Sequence, residues 1–145
     1  MRLFGHPVHV MLIHFPVALW PAHAGLHFLA GRLPPGVAGI AGFWLLVAGT
    51  GLGWLAACFG LSDLLAIQRA GQSRRLSYAL SHGLVNGTVL TGFTAVAVAE
   101  YPHYPAITHG PGFLAIEVAL LVGLFIGNYL GGEVVWKDDG GRKRE

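Results

Sequence analysis

Eight histidines are a heavy load for a chain in which 54% of residues are hydrophobic and 11% charged. Three of them, His6, His9 and His14, fall within "GHPVHVMLIHFP" at the head of the first long apolar segment. Imidazole is a ligand for Zn, Cu and Ni and an axial ligand for haem iron, so the spacing raises the question of what these rings hold. His23 and His27 are four apart and share a helical face, which suits chelation of one ion. His82 lies inside a later apolar run, whereas His103 and His109 belong to the breaker-rich stretch "EYPHYPAITHGPG". Asp63, Asn86, Glu117 and Glu133 supply carboxylates and an amide. Such groups take the second N–H of a ligating imidazole and fix its tautomer.

The elements that position these residues are apolar and long. A mean hydropathy of +0.59 and the absence of any charge from Leu3 to Gly31 exclude an ordinary soluble domain. Four runs reach the roughly 20 residues that cross a hydrocarbon core of about 30 Å. They cover 8–29, 37–61, 76–99 and 113–135, with a surface helix through "LSDLLAIQRA" as an optional continuation of the second. Continuous runs of this length predict helices, which satisfy their own backbone in lipid. The expected fold is an all-α, four-transmembrane-helix bundle forming a single domain with a short charged tail. Pro16 and Pro21 should kink the first span. Glycines at 49 and 53, 83 and 87, and 123, 127 and 131 form ridges along which helices pack closely.

The nine Lys and Arg residues orient that bundle. Arg2, Arg69, Arg74, Arg75, Lys137, Arg142, Lys143 and Arg144 fall on one side, and Arg32 alone on the other. The positive-inside rule then places both termini in the cytoplasm of a multi-pass protein of the bacterial inner membrane. Orientation also accounts for the sequence pI of about 9.0, leaving no case for nucleic acid. Cys58, the single cysteine, has no internal disulfide partner. The first segment is too long and too rich in His and Pro for a signal peptide.

Folded this way, the histidines sort into two layers. His6, His9, His14 and His82 lie on the cytoplasmic side with Asp63, Asn86 and Glu133; His23, His27, His103, His109 and Glu117 lie on the other. His14 and His82 each stand about six residues into their spans, ~9 Å deep at ~1.5 Å per residue. The leading expectation is therefore a b-type cytochrome-like electron carrier, with haem b between His14 and His82 and with His9 and Asn86 nearby. A quinone or redox protein would be its partner besides the lipid bilayer. The alternative from another class is a Zn, Cu or Ni ion on His6, His9, His14, His82 and Asp63. A third is a non-catalytic subunit of a larger membrane complex. His23, His27, His109 and Glu117 form a second, weaker site. No G-x-S-x-G or H-E-x-x-H stretch supports a hydrolase.

The order and spacing of "GHPVHVMLIHFP", "GLSD", "LSHGLVNG" and "LGGEVVW" resemble the bacterial membrane family known as domain of unknown function 2231. The resemblance spans Gly5 to Trp136 and rests on His6, Pro7, His9, His14, Phe15 and Pro16, then Gly60, Asp63, His82, Asn86, Gly131 and Gly132. It implies a four-helix membrane domain, sometimes fused to c-type cytochrome domains, and so points towards redox work without supplying an activity. The sequence departs from the family pattern at Val10, where a second proline is usual. His23, His27, His103 and His109 lie outside that pattern.

Overall fold

A computed structural model describes residues 2–3 and 6–136, with side-chain surroundings for residues 8–134. At the N-terminus Arg2–Leu3 pairs antiparallel with His6–Pro7. Helices follow: α1 Val8–Leu12, α2 His14–Phe28, α3 Val37–Arg69, α4 Ser73–Glu100 and α5 Pro111–Trp136. The break between α1 and α2 has a local cause. Pro16 lacks the N–H that would bond to the Leu12 carbonyl, and its ring crowds that carbonyl. The path nevertheless continues, since the Ile13 N–H reaches the His9 carbonyl at 3.1 Å and the Val17 N–H reaches that of Ile13 at 3.3 Å. Pro21 is accommodated inside α2.

The connections use residues suited to them. Gly36 precedes α3 with φ 82°, and Gly71 turns into α4 with φ 69°, a left-handed backbone that costs glycine nothing. Pro111 opens α5, where a missing N–H leaves no helical bond unmade. α3 passes Leu61 without interruption, so "LSDLLAIQR" continues the same rod rather than starting a separate surface helix.

α2 packs on α3, α3 on α4 and α4 on α5, while α2 also meets α5 and closes the bundle. The core is Trp20, Leu46, Val89, Leu90, Phe93, Val96 and Leu124. Trp20 stacks on Phe93 with ring centroids 4.3 Å apart and donates its indole N–H to Thr50 Oγ1 at 3.3 Å. Gly49 and Gly53 of α3 admit Trp20 and Leu90. A Cβ at Gly49 would lie 2.9 Å from the indole nitrogen. Gly83 and Gly87, by contrast, face open space and mediate no helix packing among the described residues.

The outside of the bundle is apolar. Trp44, Trp54, Leu61, Leu84, Val98, Ile116, Phe125 and Tyr129 are all exposed. Among the described residues three helices, Val37–Arg69, Ser73–His103 and Pro111–Val134, are long and apolar enough to cross a membrane. Large apolar side chains directed outwards along helices of that length are what a lipid-facing surface requires.

Candidate metal centre

Polar side chains converge on the end of the bundle remote from both termini. α2 brings His23 and His27 there in its last two turns, α4 brings Glu100 as its final residue, and α5 brings Glu117 in its second turn. The loop before α5 adds His109. His23 and Glu117 are fully buried, His27 and Glu100 are 5% and 2% exposed, and the His109 side chain is 2% exposed. Five groups able to ligate a metal, from three helices and a loop, are thus buried together.

The contacts within it are short. His23 Nε2 lies 2.5 Å from Glu117 Oε1 and 3.4 Å from Glu100 Oε1. His109 Nε2 lies 2.7 Å from Glu100 Oε1, and its Nδ1 lies 3.3 Å from Glu117 Oε2. Donors on adjacent octahedral positions at ~2.1 Å from an ion stand ~3.0 Å apart, and these four approaches bracket that value. His23, His27 and Glu100 form one triad of donor atoms within 4.8 Å of one another, and Glu100, His109 and Glu117 form another.

Tautomers point the same way. His23 Nδ1 faces the Gly42 carbonyl at 3.0 Å. A carbonyl only accepts, so Nδ1 donates to it; the Glu117 carboxylate likewise accepts from Nε2, and an ion bound there would take the place of that second proton while the Gly42 bond keeps the first on Nδ1. His27 stacks on His109 at 3.8 Å with 17° between the planes, and both of its ring nitrogens are buried without a hydrogen-bond partner. Neither Glu100 oxygen has a hydrogen-bond partner, so its 2.7 Å approach to His109 is an ion pair of poor hydrogen-bond direction. Each unsatisfied buried group costs about 1–3 kcal/mol.

The loop that carries His109 is pinned on both sides. Phe113 packs on the His109 ring at 4.3 Å, and Ile107 is buried. Burial opposes a charge on His109, but the Glu100 and Glu117 carboxylates outweigh it and raise its pKa to about 9. Outside the centre, Phe43, Trp44, Tyr101 and Tyr104 form an aromatic group, and the Trp44 indole donates to Tyr104 Oη at 3.3 Å.

At the opposite end the rings are arranged otherwise than expected from depth alone. His9, not His14, meets His82, with ring centroids 6.0 Å apart and planes at 88°. His14 is exposed. His14 opens α2 beyond the break at Ile13, and five residues at ~100° each would in any case turn it about 140° away from His9 on α1. His14 thus does not share the face on which His9 meets His82. Asn86 donates to the His82 carbonyl at 3.1 Å. Asp63 and Glu133 are half-buried and engaged with other groups. The His6 side chain lies outside the described residues, and His103 is exposed with Nδ1 on the Ala99 carbonyl at 3.1 Å.

His23, His27, His109 and Glu117, the weaker set by sequence, are therefore the ones brought together. Glu100 was not among them. Its signal was an acid closing an otherwise uncharged run of some six helical turns, at the level of His27 and Glu117. A family model described as "Predicted membrane protein (DUF2231)" matches residues 5–144. No curated protein matches the chain, and no solved structure does.

Proposed function

Because the chain belongs to the predicted membrane protein family DUF2231, we propose that it is a bilayer-spanning protein that holds one divalent first-row transition-metal ion. The ion sits among His23, His27, Glu100, His109 and Glu117. The observation that carries this reading is His27. Its two ring nitrogens are buried and unpartnered. Hydrogen bonds and ion pairs among the other four account for much of the cluster, but they leave His27 with nothing. An ion gives that ring a role. Charge is balanced as well, since two carboxylates, three neutral imidazoles and one divalent cation sum to zero.

Mixed imidazole and carboxylate donors, with room for more than four, suit Mn²⁺, Fe²⁺, Co²⁺ or Ni²⁺ as well as Zn²⁺. The Nδ1–carbonyl bond of His23 is the outer support that ligating histidines ordinarily have. Protein purified in detergent without chelator is expected to carry about one equivalent of such an ion by elemental analysis. Glu117→Gln keeps the shape, removes the charged donor and should lower that content severalfold. A stoichiometrically metal-free protein that also takes up none of these ions on dialysis refutes the reading.

The same proposal includes the orientation. α1, Ile13 and α2 together cover 21 positions, 8–28, or ~31 Å at ~1.5 Å per residue, long enough for a fourth span. The charge bias then puts both termini in the cytoplasm and the metal centre at the outer face of the inner membrane. A cysteine placed at exposed Ala106, in a Cys58→Ser background, should react with an impermeant maleimide added to intact spheroplasts. A reporter active only in the cytoplasm should work when fused at the C-terminus. The reverse pair of results inverts the topology.

A further inference from the structure

We propose that His9 and His82 form a second, independent metal-ligand pair at the terminal end of the bundle, taking a first-row transition metal on two imidazole nitrogens. The rings come from α1 and α4 and meet 6.0 Å apart at 88°. Each spends its other nitrogen on a different helix. His9 Nδ1 donates to the Ala56 carbonyl of α3 and His82 Nδ1 to the Gly127 carbonyl of α5, both at 2.8 Å. Carbonyls accept only, so both protons are held on Nδ1; Asn86 Nδ2 also lies 3.1 Å from His82 Nδ1, but the Gly127 carbonyl is closer at 2.8 Å and the Asn86 amide has the His82 carbonyl to donate to. Each Nε2 then presents a lone pair with no hydrogen-bond partner among the described residues. Two histidines serving merely to tie helices together would not need to be brought ring to ring.

The spacing fits a shared metal. With ~1.1 Å from Nε2 to the ring centroid and ~2.1 Å from nitrogen to metal, two centroids stand ~5.2 Å apart at a tetrahedral angle and ~6.4 Å apart on opposite sides. The observed separation lies between these limits. Glycines hold the rings in place. A Cβ at Gly60 would come 3.0 Å from His9 Cε1 and Nδ1, and one at Gly131 would come 2.8 Å from the same atoms of His82. The rings lie against bare backbone through their Cε1–Nδ1 edges and remain half-buried, within reach of a ligand from outside. His9 and His23 are fourteen residues apart, ~21 Å along the axis, so this pair and the five-residue centre are loaded separately.

Two sources supply a metal with sites for two imidazoles, a free ion or haem iron, and the test separates them. Purified protein carrying Glu117→Gln, to weaken the other centre, is titrated with Cu²⁺ followed by electron paramagnetic resonance, and separately with hemin followed by absorbance. Binding of about one equivalent of either probe is expected, with coupling to two imidazole nitrogens for Cu²⁺ or a low-spin six-coordinate spectrum for hemin. His9→Asn and His82→Asn keep a donor for the Ala56 and Gly127 carbonyls while deleting Nε2. Each should weaken binding at least ~10-fold, whereas His14→Asn should not. Affinity unchanged in both Asn variants overturns the proposal, as does a protein that binds neither probe.

Discussion

His27→Ala is expected to cost the purified protein its metal, with affinity falling on the order of 100-fold or more. Loss of a supporting group around a bound metal typically costs 10–100-fold, and loss of a donor itself is at least as severe. The variant is informative because His27 makes no hydrogen bond that its removal would break. Its ring packs against His23 at 4.8 Å and His109 at 3.8 Å, so some packing is lost too. Two controls separate packing from ligation. His27→Phe restores a ring without a donor and should remain metal-poor. His14→Ala and His103→Ala, at exposed positions, should retain full metal content by elemental analysis. Wild-type metal content in His27→Ala would remove the main support for the proposed function.

Gly39→Ala should be nearly as damaging, although residue 39 carries no ligand. A Cβ there would run into the Pro105 carbonyl oxygen and come within 3.2 Å of the Ile107 amide nitrogen. Both obstacles are backbone, which cannot swing aside as a flexible side chain can. Overpacking of this kind costs about 1–3 kcal/mol, and the loop can escape it only by lifting away from α3. That loop holds Ile107 in the core and carries His109. The expected outcome is a lowered thermal midpoint in detergent together with severalfold weaker metal binding. Gly25→Ala, where a Cβ would meet nothing within 4 Å, is the matched control and should leave both unchanged. A Gly39→Ala protein with wild-type midpoint and metal content would show that the loop is not what positions His109.

The helices were legible in the sequence because lipid imposes one rule over long stretches. Runs of apolar residues bounded by Gly, Pro and charge locate α4, α5 and the start of α3 to within a few positions, whereas α3 runs eight residues past the end of its apolar run, through the polar "LSDLLAIQR". The break at Ile13 was less legible, since a proline announces a kink without saying on which side of it the helix yields. The candidate site was legible only in its ingredients. Depth alone paired His14 with His82, but depth says nothing of azimuth, and azimuth around α1 and α2 decides which ring faces inwards. His9 faces α3 and α4, and His14 then cannot. The outer cluster was undervalued because His109 sits in a loop, and loop histidines are ordinarily solvated. What seats this one is tertiary, through the close approach of Gly39 to Pro105 and the packing of Phe113 on the ring. Glu100 was passed over as part of a breaker segment, yet the chain stays helical through it.

His9 rests on Gly60, His82 on Gly131, Asn86 on Gly127 and His27 on Gly42, where an added Cβ would lie 2.6 Å from Nε2. Four polar side chains of the two layers are thus each matched with a position that has no side chain. Evolutionary drift at these sites is therefore coupled in pairs. A relative that acquires a methyl group at position 42 has no space for a ring at 27, and one that trades its ring at 82 for something small is released from glycine at 131. Divergent members of the family should gain or lose each couple together, and an engineered second change should rescue a first that is harmful alone.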